Sequence, residues 1–189
     1  MDGVIADTNP YHAKAFEVFF FFFYIPTSAQ EFKDHMYGKH NSHIMNYFFK
    51  RPIHGAELLA LENEKESLFR EIYSADVSSI AHYIPFLENL KAYGFKTGVA
   101  TSAPRANMDL ILDRLDIRQH YESFMASEDV QLHKPHPEVY LKSAEQLHIP
   151  TSQCIVFEDS FSGITAGLQA GMKVVAVLSS HKKEELPPC

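Results

Sequence analysis

The chain opens Met1-Asp2-Gly3-Val4-Ile5-Ala6-Asp7-Thr8, and the rest of the sequence is organised around this stretch. It reads as the end of a buried strand that breaks into a tight turn at Gly3. The break leaves one carboxylate, Asp2, at the strand end. A lone Asp in such a place usually caps a turn or a helix. Its meaning therefore depends on what the rest of the chain puts at its other strand ends.

Directly downstream the chain is helical. Asn9 as N-cap and Pro10 at the first helical position start a helix from about Tyr11. That helix runs into Phe19-Phe20-Phe21-Phe22-Phe23-Tyr24. Five consecutive phenylalanines cover every face of a helix, where an ordinary amphipathic helix would show a polar side. Some rings belong in a core and the others on an exposed or partner-covered face, a site for interaction or aggregation. The chemistry gives the run no role. Ile25-Pro26 breaks the helix, and Ser28-Ala29-Gln30-Glu31 fits a capping box for the next one, to about Tyr37, ended by Gly38. Further helices are predicted over about 42–49 and 56–73, the second from Leu58, Leu61, Leu68 and Ile72.

From Ile84 the pattern alternates. Helices start at Pro85, run through Met108, Ile111, Leu112 and Leu115, start again at Pro137, and run over about 162–170. Apolar strands are predicted at 95–101, 124–127, 154–157 and 173–178. Gly94 and Gly171 sit where helix C-caps precede strands. This alternation predicts an α/β fold, a Rossmann-like parallel sheet covered on both faces. The core would comprise residues 1–9 and 82–189, with 10–81 an inserted helical cap. Both ends of the core read as cut short.

Bulk properties narrow the partners. The net charge of −7 and the lack of a basic stripe argue against nucleic acid. No apolar run reaches the about 18 residues of a membrane span. Two cysteines, Cys154 and Cys189, make no disulfide framework; Cys154 is read as a buried thiol, and a reducing, cytoplasmic setting is expected. The oligomeric state is left open.

In parallel sheets, ligands bind beyond the carboxyl ends of strands. The residues there are Asp2, Thr101 with Ser102, and Glu158 with Asp159. Lys134 in His133-Lys134-Pro135-His136-Pro137 precedes a helix. Singly, each has a bland reading as a cap, a solvated loop or a surface lysine. In this order, Asp2-Gly3-Val4, Thr101-Ser102, Lys134-Pro135 and Glu158-Asp159-Ser160 resemble the four motifs of the haloacid dehalogenase-like hydrolases. The run 161–167, with Gly163-Ile164 and Ala166-Gly167, is most similar to the β-phosphoglucomutase-like and phosphatase branch.

The resemblance implies Mg²⁺-dependent phosphoryl transfer on a small phosphorylated, sugar phosphate-like substrate. It gives Mg²⁺ to Glu158, Asp159 and the backbone carbonyl of Asp2. It assigns the phosphoryl oxygens to Lys134, Thr101 and Ser102, and makes Asp2 the general acid/base. The family's nucleophilic Asp would stand just before Met1. Either the sequence is a piece of a longer chain, or the protein is an inactive relative that binds a phosphorylated ligand or a protein.

His12 and Gly38 match substrate-binding positions of the mutase pattern, and Lys65 roughly matches a third, although Lys65 reads more simply as an exposed salt-bridging residue. Tyr37 and Asn41 stand where the mutase pattern has cations, which favours a phosphatase over a β-phosphoglucomutase-type enzyme. His35, His40, His43 and His54 lack the tight spacing of a zinc site and read as solvated or substrate-facing.

Overall fold

The computed structural model describes residues 1–36 and 41–189. The chain divides into two compact units: residues 1–7 with 77–189, and residues 8–76.

The unit spanning 8–76 is helical: α1 (Asn9–Phe22), α2 (Ala29–His35), α3 (Asn41–Phe49) and α4 (Gly55–Tyr73). The N-cap of α1 is Thr8, so the helix starts one residue earlier than the sequence suggests, with Pro10 still in its first turn. Ser28 caps α2 by accepting from the Glu31 amide, and Glu31 returns the bond to the Ser28 amide, completing the expected box. The phenylalanine run splits. Phe16, Phe19 and Phe20 pack with Phe32, Met36, Ile44, Met45, Phe48, Ile53 and Leu61 in one core. Phe21 and Phe22 face outward.

The stripe predicted for α4 is shifted. Its buried positions are Leu61, Lys65, Glu66, Phe69 and Tyr73, while Leu58 and Leu68 only flank the core. Lys65 is therefore not an exposed residue. Its ammonium pairs with Glu66, lies 3.3 Å from His12 Nδ1, and sits 4.6 Å from the centre of the Phe16 ring. A buried charge is tolerated because it is paired and hydrogen-bonded.

The other unit alternates as expected: α5 (Tyr83–Ala92), β1 (Gly98–Ala100), α6 (Arg105–Arg114), β2 (Ser123–Met125), α7 (Glu138–Leu147), β3 (Ile155–Glu158), α8 (Phe161–Gln169) and β4 (Lys173–Ala176). Its strands form two parallel pairs among the described residues, β1 with β2 and β3 with β4, in register at Val99↔Phe124 and Val156↔Val174. They are shorter than the apolar runs suggest. Residues 95–97 and 177–178 lie outside the ladders. The opening stretch is a turn: Ile5 N donates to Met1 O at 2.7 Å, and Gly3 N donates to Ala6 O at 2.8 Å. Single bridges join Asp2 to Ala6 and Ala6 to Ser79.

Helices lie on both sides of β3. Val156 packs with Val139, Tyr140 and Ala144 of α7 and Ala166 of α8. Phe157, on the opposite face of the strand, meets Phe86 of α5 edge to face at 5.4 Å. Cys154 is half-buried rather than enclosed, and both thiols are free. Among the described residues, no helix is long and apolar enough to cross a membrane.

Candidate active site

Strand ends converge in the α/β unit. Gly3 takes φ +65°, and its missing side chain makes room: a Cβ there would lie 1.9 Å from Asp159 Oδ2 and 2.8 Å from Ser180 Oγ. Asp159 is thereby seated against the backbone of the Asp2-Gly3 turn. Thr101, buried at the end of β1, donates from Oγ1 to Asp2 Oδ2 at 3.5 Å and accepts the Ala103 amide at 3.1 Å. Ser102, next to it, is exposed.

Glu158 ends β3 and is buried. Its Oε1 accepts from Lys134 Nζ at 2.6 Å and from Tyr140 Oη at 2.9 Å. Its Oε2 accepts from the amides of Asp159 and Ser160 and from Ser160 Oγ, at 2.9–3.1 Å. Ser160 is also the N-cap of α8, accepting the Gly163 amide at 3.1 Å. Gly163 is required here, since a Cβ would fall 2.0 Å from the Glu158 carboxyl carbon. The carboxylate thus docks on a helix N-terminus, where its charge is favoured. Burial opposes its ionisation, but Lys134, with the Tyr140 hydroxyl, outweighs it and holds the carboxyl at about 2. The same burial and the same carboxylate push the Tyr140 hydroxyl well above its ordinary value, so it stays a donor.

Lys134 is fixed from three sides. Besides Glu158, it donates to Ala100 O at 3.3 Å and lies 4.7 Å from the centre of the Tyr140 ring. Asp159 has the opposite balance. Burial and the charges of Glu158 and Asp2 raise its carboxyl above the ordinary range, against the lowering effect of the Ser180 hydroxyl. The surroundings of Asp159 thus disfavour its ionised form.

Asp2, Thr101, Lys134, Glu158 and Asp159 are thus neighbours. Three residues of the site escaped the sequence reading. Ser180 donates to Asp159, His181 Nδ1 lies 3.0 Å from Asp159 O, and Ser179 donates to Gly3 O. They follow β4, and the strand-end rule that picked out the others picks them out when applied to that strand too. Tyr140 also escaped notice, as an apolar-face residue of α7. In the helical unit, His12 stacks on Phe69 at 3.9 Å. Gly38, Tyr37 and His40 lie outside the described residues. His35 stacks on Tyr47 at 3.6 Å.

Among the described residues, no group of three or more His, Cys, Asp or Glu could hold a metal ion. A Mg²⁺ site makes no such demand. It is commonly held by one or two carboxylates, with water and substrate phosphate completing the shell. Asp159, buried beside the backbone of the Asp2-Gly3 turn, fits that donor set; Glu158, whose oxygens already accept five protein donors, fits it less well.

The order of these clusters along the chain and their meeting at the strand ends point to the class. The haloacid dehalogenase-like hydrolase family model matches residues 1–177. The chain belongs to that family, in its phosphatase and phosphomutase branch. A relative matching over nearly its full length is the fructose-1-phosphate phosphatase YqaB of Escherichia coli, 27% identical over 94% of this chain and 93% of its own. The crystal structure of a family IA, variant 3 hydrolase from Entamoeba histolytica superposes with a TM-score of 0.89, at 26% identity over 98% of this chain and 84% of that one. β-Phosphoglucomutase from Clostridium difficile shares the fold, with a TM-score of 0.76 at 24% identity over 93% and 80%.

Proposed function

We propose that the protein is a Mg²⁺-dependent phosphatase of a small, sugar phosphate-like metabolite. The observation that carries this reading is the seating of the buried Asp159 carboxyl against the Asp2-Gly3 backbone, next to a Glu158 that holds Lys134. Asp159 and the Asp2 carbonyl would hold the cation. When bound, it neutralises charge between carboxylates and an incoming phosphate.

The chain's own groups divide the remaining work. An ammonium has three donors. The bonds to Glu158 and Ala100 leave Lys134 one for a phosphoryl oxygen. Thr101 Oγ and the Ser102 amide are placed to add two more. Asp2 delivers a proton to the leaving oxygen and later takes one from water. An aspartate immediately upstream of Met1 would be the nucleophile. Its oxygen bonds to phosphorus as the ester P–O bond breaks, and water then cleaves the aspartyl-phosphate to inorganic phosphate. The helical unit would serve as the cap that selects the substrate, with His12 and Gly38 as substrate-binding residues.

Two observations favour hydrolysis over mutase activity. The Escherichia coli relative is a fructose-1-phosphate phosphatase and aligns over nearly its full length. Lys65, a candidate cationic grip on a second phosphate, is buried and tied to Glu66.

The test is to express the protein with the residues that precede Met1 in its own reading frame. That extension should supply Asp. Fructose 1-phosphate and glucose 6-phosphate should then release phosphate with Mg²⁺ but not with a chelator, and Asp2→Asn should cut the rate at least about 100-fold. Another residue before Met1, or no release, would overturn the enzymatic reading. Conversion of β-glucose 1-phosphate to glucose 6-phosphate without phosphate release would make it a mutase.

A further inference from the structure

Tyr140 occupies a position that packing alone would fill with phenylalanine. It lies on the buried face of α7, in one apolar cluster with Val139, Ala144, Val156 and Ala166. A hydroxyl in such a place costs stability unless it finds a partner. Here the partner is Glu158. An ionised carboxylate only accepts, so Tyr140 Oη donates to its Oε1, at 2.9 Å.

The two oxygens of Glu158 are served differently. Oε2 takes three donors from its own stretch of chain, the Asp159 and Ser160 amides and Ser160 Oγ. Oε1 takes two from elsewhere, Lys134 Nζ at 2.6 Å and Tyr140 Oη. Tyr140 also touches the other member of the ion pair, with its ring centre 4.7 Å from Lys134 Nζ. All three groups are enclosed: Glu158 is 5% exposed, Tyr140 6% and the Lys134 side chain 6%. A hydrogen bond counts for more in such surroundings than in water.

We propose that Tyr140 is a positioning residue for phosphate, its hydroxyl sharing the charge of Glu158 with Lys134 so that the lysine keeps one N–H for a phosphoryl oxygen. This rests on the phosphatase reading, in which Lys134 holds phosphate. Without the hydroxyl, Oε1 is left to Lys134, and the ammonium is drawn onto Glu158 at the ligand's expense. The Asp159 carboxyl is held separately, by Ser180 and the turn at Gly3. The loss should therefore fall on phosphate and spare the cation.

Isothermal titration of inorganic phosphate into the 189-residue chain in Mg²⁺, beside thermal melts with and without Mg²⁺, tests this. Tyr140→Phe keeps the ring and removes the hydroxyl. Phosphate affinity should fall about tenfold, with the Mg²⁺-induced rise in melting temperature as large as in the unmodified chain. Val139→Ala, a neighbour on the same buried face, should lower the melting temperature and leave phosphate affinity unchanged. Equal phosphate affinity in Tyr140→Phe and the unmodified chain overturns the role of Tyr140 and leaves the phosphatase reading standing. Loss of the Mg²⁺ response in Tyr140→Phe, or an equal loss of phosphate affinity in Val139→Ala, overturns it as general loosening of the core. An unmodified chain that binds no phosphate overturns both the role and the reading.

Discussion

Position 3 tolerates no side chain for two separable reasons, and a pair of variants separates them. Gly3 and Gly94 both have φ in the left-handed region, +65° and +77°, but only Gly3 is crowded, by Asp159. Gly94→Ala should therefore cost only the backbone penalty, about 1 kcal/mol. Gly3→Ala should cost about 1–3 kcal/mol and also displace Asp159, abolishing any Mg²⁺-induced rise in melting temperature. Urea denaturation and thermal melts with and without Mg²⁺ check both; equal costs with the Mg²⁺ response retained would show that Asp159 is not seated on Gly3. The residues legible in sequence were those whose types advertise chemistry at strand ends, Asp2, Thr101, Lys134, Glu158 and Asp159. Lys65 was misread because a charged run on a helix looks solvated. Its burial is set by Phe16, His12 and Glu66, a combination that includes a partner 53 residues away in sequence.

Helix starts were legible because their determinants are local. The capping box at Ser28 needs only residues 28–31 and is present as expected. Ser28→Ala should destabilise the helical unit by about 1 kcal/mol, measurable as a shift in its denaturation midpoint, and should leave the strand-end site untouched; a neutral outcome would mean that α2 is held by Phe32 and Met36 alone. Strand limits were less legible. The apolar run at 95–101 reads as one strand, but pairing with β2 covers only Gly98–Ala100. Pairing is fixed by a partner far along the chain, which a run of apolar residues does not reveal. The phenylalanine run was ambiguous for a related reason. Its rings divide between core and surface according to what α3 and α4 present to them, Phe48, Phe49 and Leu61 among others.

The molecule's acid stability should follow from its buried ion pair. Glu158 is held at about 2 against an ordinary 4.5. A depressed carboxyl stabilises the fold above its unfolded value and loses that contribution as pH falls towards its folded one. Stability of order 3 kcal/mol should therefore disappear between about pH 4.5 and about pH 2. Lys134→Met removes the cation, raises the Glu158 carboxyl and should move this loss to higher pH, as followed by denaturation midpoints across that window; an unshifted acid transition would mean that the pair does not govern it. The central claim is narrower: that the strand ends bind phosphate through a cation held at Asp159. Isothermal titration of inorganic phosphate into the chain tests it most directly, first with Mg²⁺ and then with a chelator, for the unmodified chain and for Asp159→Asn. One phosphate site per chain is expected, present with Mg²⁺, lost on chelation and absent from the variant. Phosphate binding that survives both chelation and Asp159→Asn, or no binding under any condition, would contradict it.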